Sequence, residues 1–262
     1  MEFKIGCDPE IFVGDNASVR SIIGKVGGTK DNPKELPIGK GFAVQEDNVA
    51  LEFNVPPSSS KNEFIGNVMG AMSFLSEMLL QQHGLQFVNK SAVSFPDDEL
   101  RDPRALVFGC DPDYNAWTSR VNPRPSAADK NLRSCGGHIH IGLDDSWLPD
   151  KKRKLIHAMD LYISVPAVFM DQGHLRKELY GKAGAFRNKS YGVEYRTPSN
   201  FWVWNPELIG WVYDNTARAI SFTDSKEIPE EDGEAIRYAI NNNDQKTAMM
   251  LVNRYNLDVR NA

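Results

Sequence analysis

Hydrophobic and polar residues alternate along four stretches of the chain, and each reads as a strand with one apolar and one polar face. In residues 134–142 (SCGGHIHIG), Cys135, Gly137, Ile139 and Ile141 share one side, while Gly136, His138, His140 and Gly142 share the other. Residues 3–13 (FKIGCDPEIFV) predict a strand that bends at Pro9. Phe3, Ile5, Cys7 and Ile11 lie opposite Lys4, Gly6, Asp8 and Glu10. In residues 42–55, Val49, Leu51, Phe53 and Val55 oppose Asn48, Ala50, Glu52 and Asn54. Glu46 and Asp47 are expected in the loop that feeds this strand, and Pro56-Pro57 ends it because proline cannot continue a ladder. Residues 191–198 (YGVEYRTP) set Tyr191, Val193 and Tyr195 against Gly192, Glu194 and Arg196.

Between the strands the period changes to that of a helix. Phe64, Val68, Met72, Leu75, Met78 and Leu79 predict a helix over residues 62–83, and Ser58-Ser59-Ser60 with Glu63 reads as its capping box. Pro149 opens a second long helix, to about residue 171, with Leu155, Met159, Ile163, Val165 and Phe169 on its buried side. Further helices are expected at 205–222, 231–241 and 244–254, with an acidic linker at 224–234. Residues 14–41 read as a short hairpin followed by a loop, and 85–95 as a strand pair or a strand and turn. The segment Gly109-Cys110-Asp111-Pro112-Asp113 echoes Gly6-Cys7-Asp8-Pro9-Glu10. Tyr114, Trp117, Arg120 and Arg124 follow it in a polar, aromatic loop. His83 and His157 read as structural histidines.

Composition narrows the class. At 262 residues with 41% hydrophobic and 25% charged residues, the chain has the make-up of one globular domain, with residues 205–262 as its C-terminal helical portion. A net charge of −5 without a basic stripe argues against nucleic acid as a partner. Cys7, Cys110 and Cys135 are widely spaced and form no C-x-x-C pair, which suits a reducing compartment. Apolar runs are too short for a bilayer and the first residues do not read as a signal peptide, so a cytoplasmic, membrane-free protein is expected.

The polar faces carry the chemistry. An isolated His-x-His reads as a pair of partly exposed strand histidines. Here Asp8/Glu10, Glu52/Asn54, His138/His140 and Glu194/Arg196 recur on four strands. Together they predict one sheet whose concave face is a site. Crowded carboxylates raise one another's pKa unless cations intervene. Several acids with one or two histidines suit Mg2+ or Mn2+ better than zinc. The segment 174–189 carries Arg176, Lys182 and Arg187 around two glycines and two alanines, and reads as a solvated loop or an anion-binding one. Acids, divalent metal and arginines together suit nucleotide phosphoryl transfer.

The ordered series G-x-D-P-E, E-x(5)-E-F-N, G-G-H-I-H and E-Y-R, from about residue 6 to residue 201, resembles the active-site series of the glutamine synthetase-like superfamily. More narrowly, it resembles the type 2 carboxylate–amine ligases (amidoligases) of tailed phages. The resemblance implies an α+β fold: a mainly antiparallel curved sheet forming a partial barrel, with helices on its convex face. It implies ATP and two or more divalent ions, with a small-molecule or peptide carboxylate and an amine as substrates, joined through an acyl phosphate. By motif, Glu10, Glu46, Glu52, His138 and Glu194 would ligate metal, with Asp8 beside Glu10. His140 would contact nucleotide phosphate, Arg196 would hold the transferring phosphoryl, and Arg176, Lys182 and Arg187 would assist. Glu52 or Glu46 is the candidate base. The first strand carries Asp-Pro-Glu where glutamine synthetases carry two glutamates. A phage origin would place the protein in the host cytoplasm; an oligomer is compatible with the sequence. The competing readings are a metal-dependent hydrolase, and a phosphotransferase or non-catalytic binding protein on the same fold.

Overall fold

A computed structural model describes residues 3–107, 113–123 and 125–260. The expected strand over residues 3–13 is two strands, β1 (Lys4–Cys7) and β2 (Glu10–Gly14), separated at Asp8-Pro9. Each enters a different antiparallel sheet. β2 pairs with β3 (Val19–Arg20), which closes the expected hairpin, and a short β4 (Lys34–Glu35) follows. Residues 42–55 are a hairpin of β5 (Ala43–Asp47) and β6 (Ala50–Asn54) rather than one strand. Asn48 turns the corner with φ +54°, a conformation that asparagine tolerates better than most residues. Glu46 and Asp47 therefore lie on a strand and point to opposite faces.

Helix α1 (Lys61–His83) begins where the capping box predicts: Ser60 accepts the Glu63 N–H, and Glu63 accepts the Ser59 N–H at 2.7 Å. Gly84 ends it in the left-handed conformation. β7 (Gln86–Val88) pairs with β2, and β8 (Ala92–Ser94) with a later strand, so the two neighbours in sequence are not partners. β9 (Tyr114–Asn115) and β10 (Arg120–Val121) form a small hairpin, followed by β11 (Leu132–Ser134) and β12 (Ile139–Gly142). The 109–112 part of the sequence echo and Arg124 lie outside the described residues.

The second long helix runs from α2 (Pro149–Met159) through a π-helical turn, Asp160–Ser164, into α3 (Val165–Met170). A short α4 (Arg176–Leu179) precedes β13 (Ala185–Lys189) and β14 (Gly192–Tyr195). β13 was not legible as a strand, because Arg187 and Lys189 break the hydrophobic pattern. Helices α5 (Pro206–Ser225), α6 (Glu230–Asn242) and α7 (Gln245–Tyr255) complete the chain within a few residues of the expected bounds.

One sheet has the order β1-β12-β14-β13-β9-β10; the other runs β3-β2-β6-β5-β4 with β7 also on β2. The Phe53 and Val55 N–H groups donate to the carbonyls of Pro9 and Cys7 (3.2 and 3.4 Å), carrying hydrogen bonding around the corner between them. The result is a mixed α/β molecule built on a curled antiparallel half-barrel. Ile5, Ile139, Ile141, Val193 and Tyr195 are fully buried on the outer face, in a single core with residues of α1, α2 and α5. Each of the aliphatic ones contributes roughly 1.5–3 kcal/mol of transfer free energy. The helices thus cover one face of the sheet and leave the other to the polar set.

Candidate active site

Strand register assembles the site. Gly6, His140, Glu194 and Arg187 are successive cross-strand partners and so stand in one row on the inner face. Alternation adds His138, Arg196 and Lys189 to that face. In the second sheet Glu10 and Gln45 both pair with Glu52. Asp47, two residues beyond Gln45, reaches the same side. The faces meet in a cavity of about 270 Å³. Two glycines let neighbouring groups close on the strand, Gly136 beside His138 and Gly137 against Ser199 and Trp202 on the opposite face. A Cβ on Gly136 would sit 2.2 Å from His138 Nε2, and one on Gly137 would sit 2.3 Å from the Ser199 carbonyl oxygen.

Two clusters of ligand-type atoms result, each spanning less than 4.8 Å: Asp8, His140 and Glu194, and Glu10, Asp47 and Glu52. In the first, Asp8 Oδ1 lies 3.0 Å from His140 Nε2 and 3.3 Å from His138 Nδ1. These are ion-pair distances without hydrogen-bond alignment. Asp8 Oδ1, His140 Nε2 and Glu194 Oε2 are all buried and, among the described residues, held by ion pairs without hydrogen-bond geometry. The Tyr191 hydroxyl bonds His140 Nδ1 at 2.6 Å and fixes the ring so that Nε2 faces the cluster. Glu194, fully buried, pairs with Arg196, with Lys189 Nζ at 2.7 Å and with Arg187 Nη1 at 3.6 Å. Cations and acids therefore interleave on this half of the cavity.

Electrostatics separate the two clusters. Burial alone would raise the Asp8 pKa, but the charges and contacts of His140 and His138 outweigh it and hold the carboxyl well below its usual range. Glu194 is likewise opposed by burial and by Asp8, yet Arg196 and the two histidines draw it down to about 2. Burial, with Arg196 nearby, lowers His138 to about 4 and leaves it neutral at pH 7. In the second cluster compensation falls short, because Arg196 and Arg176 lower the Glu10 pKa less than burial and Asp47 raise it. Burial and the Asp47 charge push Glu10 up to about 8, although the Gly136 N–H donates to its Oε2 at 2.6 Å. Burial, then Asp8, Asp47 and Glu10, raise Glu52 well above the carboxylate range.

Most of the expected residues meet here, two stand elsewhere, and Arg176 is turned to another use. Glu46 points away from the cavity. It accepts the N–H groups of Gly24, Lys25 and Gly27 at 2.9–3.1 Å and pairs with Arg104 at 3.2 Å, so it orders the loop before β4. Its neighbour Asp47 occupies the position that the sequence reading gave to Glu46. Lys182 is exposed and does not line the cavity; its carbonyl lies 3.2 Å from Thr197 Oγ1. Arg176 lines the cavity but directs Nη1 and Nη2 to the carbonyls of Thr197 and Arg196 (2.9 and 3.2 Å), bracing the strand that carries Arg196. His140 shares the cluster with Asp8 and Glu194, and His138 stands beside it, its Nδ1 3.3 Å from Asp8 Oδ1 and 3.8 Å from Glu194 Oε1. Asp47, Lys189 and Tyr191 were missed as site residues. For Asp47 and Lys189 the signal was strand register, which a single alternating pattern does not reveal.

Residues 125–255, half of the chain, match the family model described as phage phiEco32-like COOH-NH2 ligase type 2. The chain belongs to that family. A comparison with curated proteins found no match. The segment matched by the ligase family includes His138, His140, Lys189, Glu194 and Arg196. It begins after β6, so Asp8, Glu10, Asp47 and Glu52 enter this ligase's site on geometry alone. Among the described residues no helix is long and apolar enough to cross a membrane.

Proposed function

We propose that this carboxylate–amine ligase has a glutamine synthetase-like fold, uses ATP with divalent cations, and forms an amide bond through an acyl phosphate. The observation that carries the reading is the pair of acid clusters facing a row of cations across one cavity. Buried oxygen and imidazole atoms without aligned hydrogen bonds in one cluster, and two carboxyls held above their usual range in the other, fit divalent cations of the Mg2+ or Mn2+ type. Asp8, His140 and Glu194 would hold one ion and Glu10, Asp47 and Glu52 another. Such ions would neutralise phosphate charge.

The chain's own groups then act on the reactants. A substrate carboxylate oxygen attacks the γ-phosphorus of ATP; the bond to the β–γ bridging oxygen breaks, and ADP departs with that electron pair. An amine nitrogen attacks the acyl carbon, loses a proton, and expels phosphate. Arg196 and Lys189, anchored on Glu194, would hold the oxygens of the transferring phosphoryl, with Arg187 beside them. Their pairing with a fully buried carboxylate fixes them before substrate arrives, which is where positioning lowers a barrier. Glu52, ionised once a cation offsets the charge of its neighbours, would take the proton of the attacking ammonium.

The cation row favours a phosphate-handling reaction over hydrolysis of an uncharged bond, and ATP dependence distinguishes the ligase from a metal-dependent hydrolase. Product analysis with Mg2+, ATP and a pool of amino acids, amines and short peptides tests it. ADP and phosphate should appear only with the pool, and Glu52→Gln and His138→Ala should abolish them while both variants remain folded. AMP and pyrophosphate as products would replace the mechanism by adenylation. Absence of turnover, with no shift in melting temperature on adding MgATP, would leave a non-catalytic binding protein.

A further inference from the structure

Behind β14, on the face away from the cavity, one carboxylate gathers the segments that build the cation side of the site. Asp160 is fully buried at the start of the π-helical turn in the α2–α3 helix. Its Oδ1 accepts the Tyr195 hydroxyl at 2.7 Å and lies 3.2 Å from Thr197 Oγ1. Its Oδ2 accepts the Trp117 indole N–H at 2.7 Å, and the nearby Gly184 backbone N–H favours its ionised form. Ser164, at the other end of the same turn, bonds the Tyr195 hydroxyl at 2.5 Å.

What these partners share is their place in the chain. Tyr195 and Thr197 flank Arg196, and Tyr195 follows Glu194 directly. The Thr197 carbonyl receives Arg176, and its hydroxyl also lies 3.2 Å from the Lys182 carbonyl. Gly184 immediately precedes β13, which carries Arg187 and Lys189. Trp117 belongs to the segment holding Asp113, whose carboxylate lies 3.9 Å from Arg196 Nε. Residues pointing outward are thus tied to a single anion, while their inward-pointing neighbours form the cation row.

A buried carboxylate is costly to desolvate, and an apolar side chain in its place is often neutral or stabilising. Packing alone therefore does not call for an acid here. A π-turn, which changes the phase of the helix by one residue, is frequent near functional sites. Here it sets Asp160 and Ser164 on the same hydroxyl.

We propose that Asp160 is a positioning residue of the phosphoryl-binding half of the site: it acts through Tyr195, Thr197, Trp117 and Gly184 to fix Arg196, Lys189 and Arg187. The inference rests on the ligase reading for what those cations bind, and on geometry alone for the linkage itself.

The test compares Asp160→Asn with Leu155→Ala, a fully buried α2 residue outside this network, as a control for general destabilisation. MgATP affinity is measured by calorimetry, and amide exchange is followed by mass spectrometry without nucleotide. Asp160→Asn should weaken MgATP by roughly tenfold or more and speed exchange in residues 184–189 and 194–197. Leu155→Ala should lower the melting temperature yet leave affinity and those segments unchanged. Equal effects of the two variants would reduce Asp160 to a structural residue and overturn the proposal. If the wild type does not bind MgATP, the ligase reading fails, and exchange alone decides the linkage. If Asp160→Asn does not fold, Tyr195→Phe, which removes only the hydroxyl, takes its place, and unchanged MgATP affinity and exchange in that variant overturn the proposal.

Discussion

Glu10 offers a direct measurement of how strongly the carboxylates of the second cluster repel one another. Replacing it by glutamine keeps an oxygen to accept the Gly136 N–H and removes the charge. In the folded protein burial and Asp47 raise its pKa from 4.5 to about 8. A raised carboxyl contributes its full stability below the unfolded pKa and loses it as pH rises through the folded one. Between pH 4.5 and pH 7 the unfolded chain releases this proton while the folded chain retains it. At about 1.4 kcal/mol per pH unit, the wild type loses about 3 kcal/mol over that interval, and the loss levels off above pH 8. Glu10→Gln escapes it. Urea denaturation in chelator, from pH 4 to pH 9, should give a wild-type-minus-variant difference curve that is flat at the acid end and falls by about 3 kcal/mol by neutrality. Using the difference removes groups common to both proteins, such as His138, His157 and Asp160, whose pKa values lie near 4, 4 and 6. Mg2+ or Mn2+ at a hundredfold over its Kd should then restore about 2.7 kcal/mol to the wild type and less to the variant. A variant no more stable than wild type at pH 8 in chelator would refute the argument that these acids are incompletely compensated.

Two further substitutions probe the neighbouring residues of β5 against each other. Glu46→Gln should cost roughly 1–3 kcal/mol in urea denaturation through the backbone donors it leaves unmatched, with turnover per folded molecule unchanged. Asp47→Asn should do the reverse, lowering ADP release roughly a hundredfold at little cost in stability; equal turnover in both variants would remove Asp47 from the site. Gly137→Ala places a methyl 2.3 Å from the Ser199 carbonyl oxygen and 2.5 Å from Trp202 Nε1. It should destabilise by roughly 1–3 kcal/mol, whereas Gly142→Ala, whose nearest contact would be Lys4 Cβ at 3.3 Å, should be milder. Thermal melts of the pair check the contrast.

The elements legible in the sequence were those with an unbroken period. Ile5, Ile139, Ile141 and Val193 alternate cleanly, and the helices carry apolar stripes together with Ser60 and Pro149 as starts. Where the polar face itself does the work, the pattern fails. Arg187 and Lys189 look like a solvated loop until Glu194 is seen opposite them, because their burial depends on a partner strand that sequence order does not reveal. Glu46 and Asp47 differ by one position, which on a strand means opposite faces; only the turn at Asn48 decides which one enters the cavity. His138 and His140 share a face, so alternation could not tell how each would stand to Asp8 and Glu194. Asp160 was invisible as anything but a helical residue, since its partners are distant in the chain.

The break at Asp8-Pro9 sets a maximum gauge within the site. Asp8 serves the cluster in one sheet and Glu10 the cluster in the other, and two peptide units join them, so their Cα atoms lie at most about 7 Å apart. Loop closure or a hinge between the sheets cannot exceed that limit, because it is set by covalent bonds. Whatever opens the half-barrel to admit a substrate cannot part the two sheets at this point by more than that span. The Asp8-to-Glu10 baseline stays within it, and reactants are measured against it.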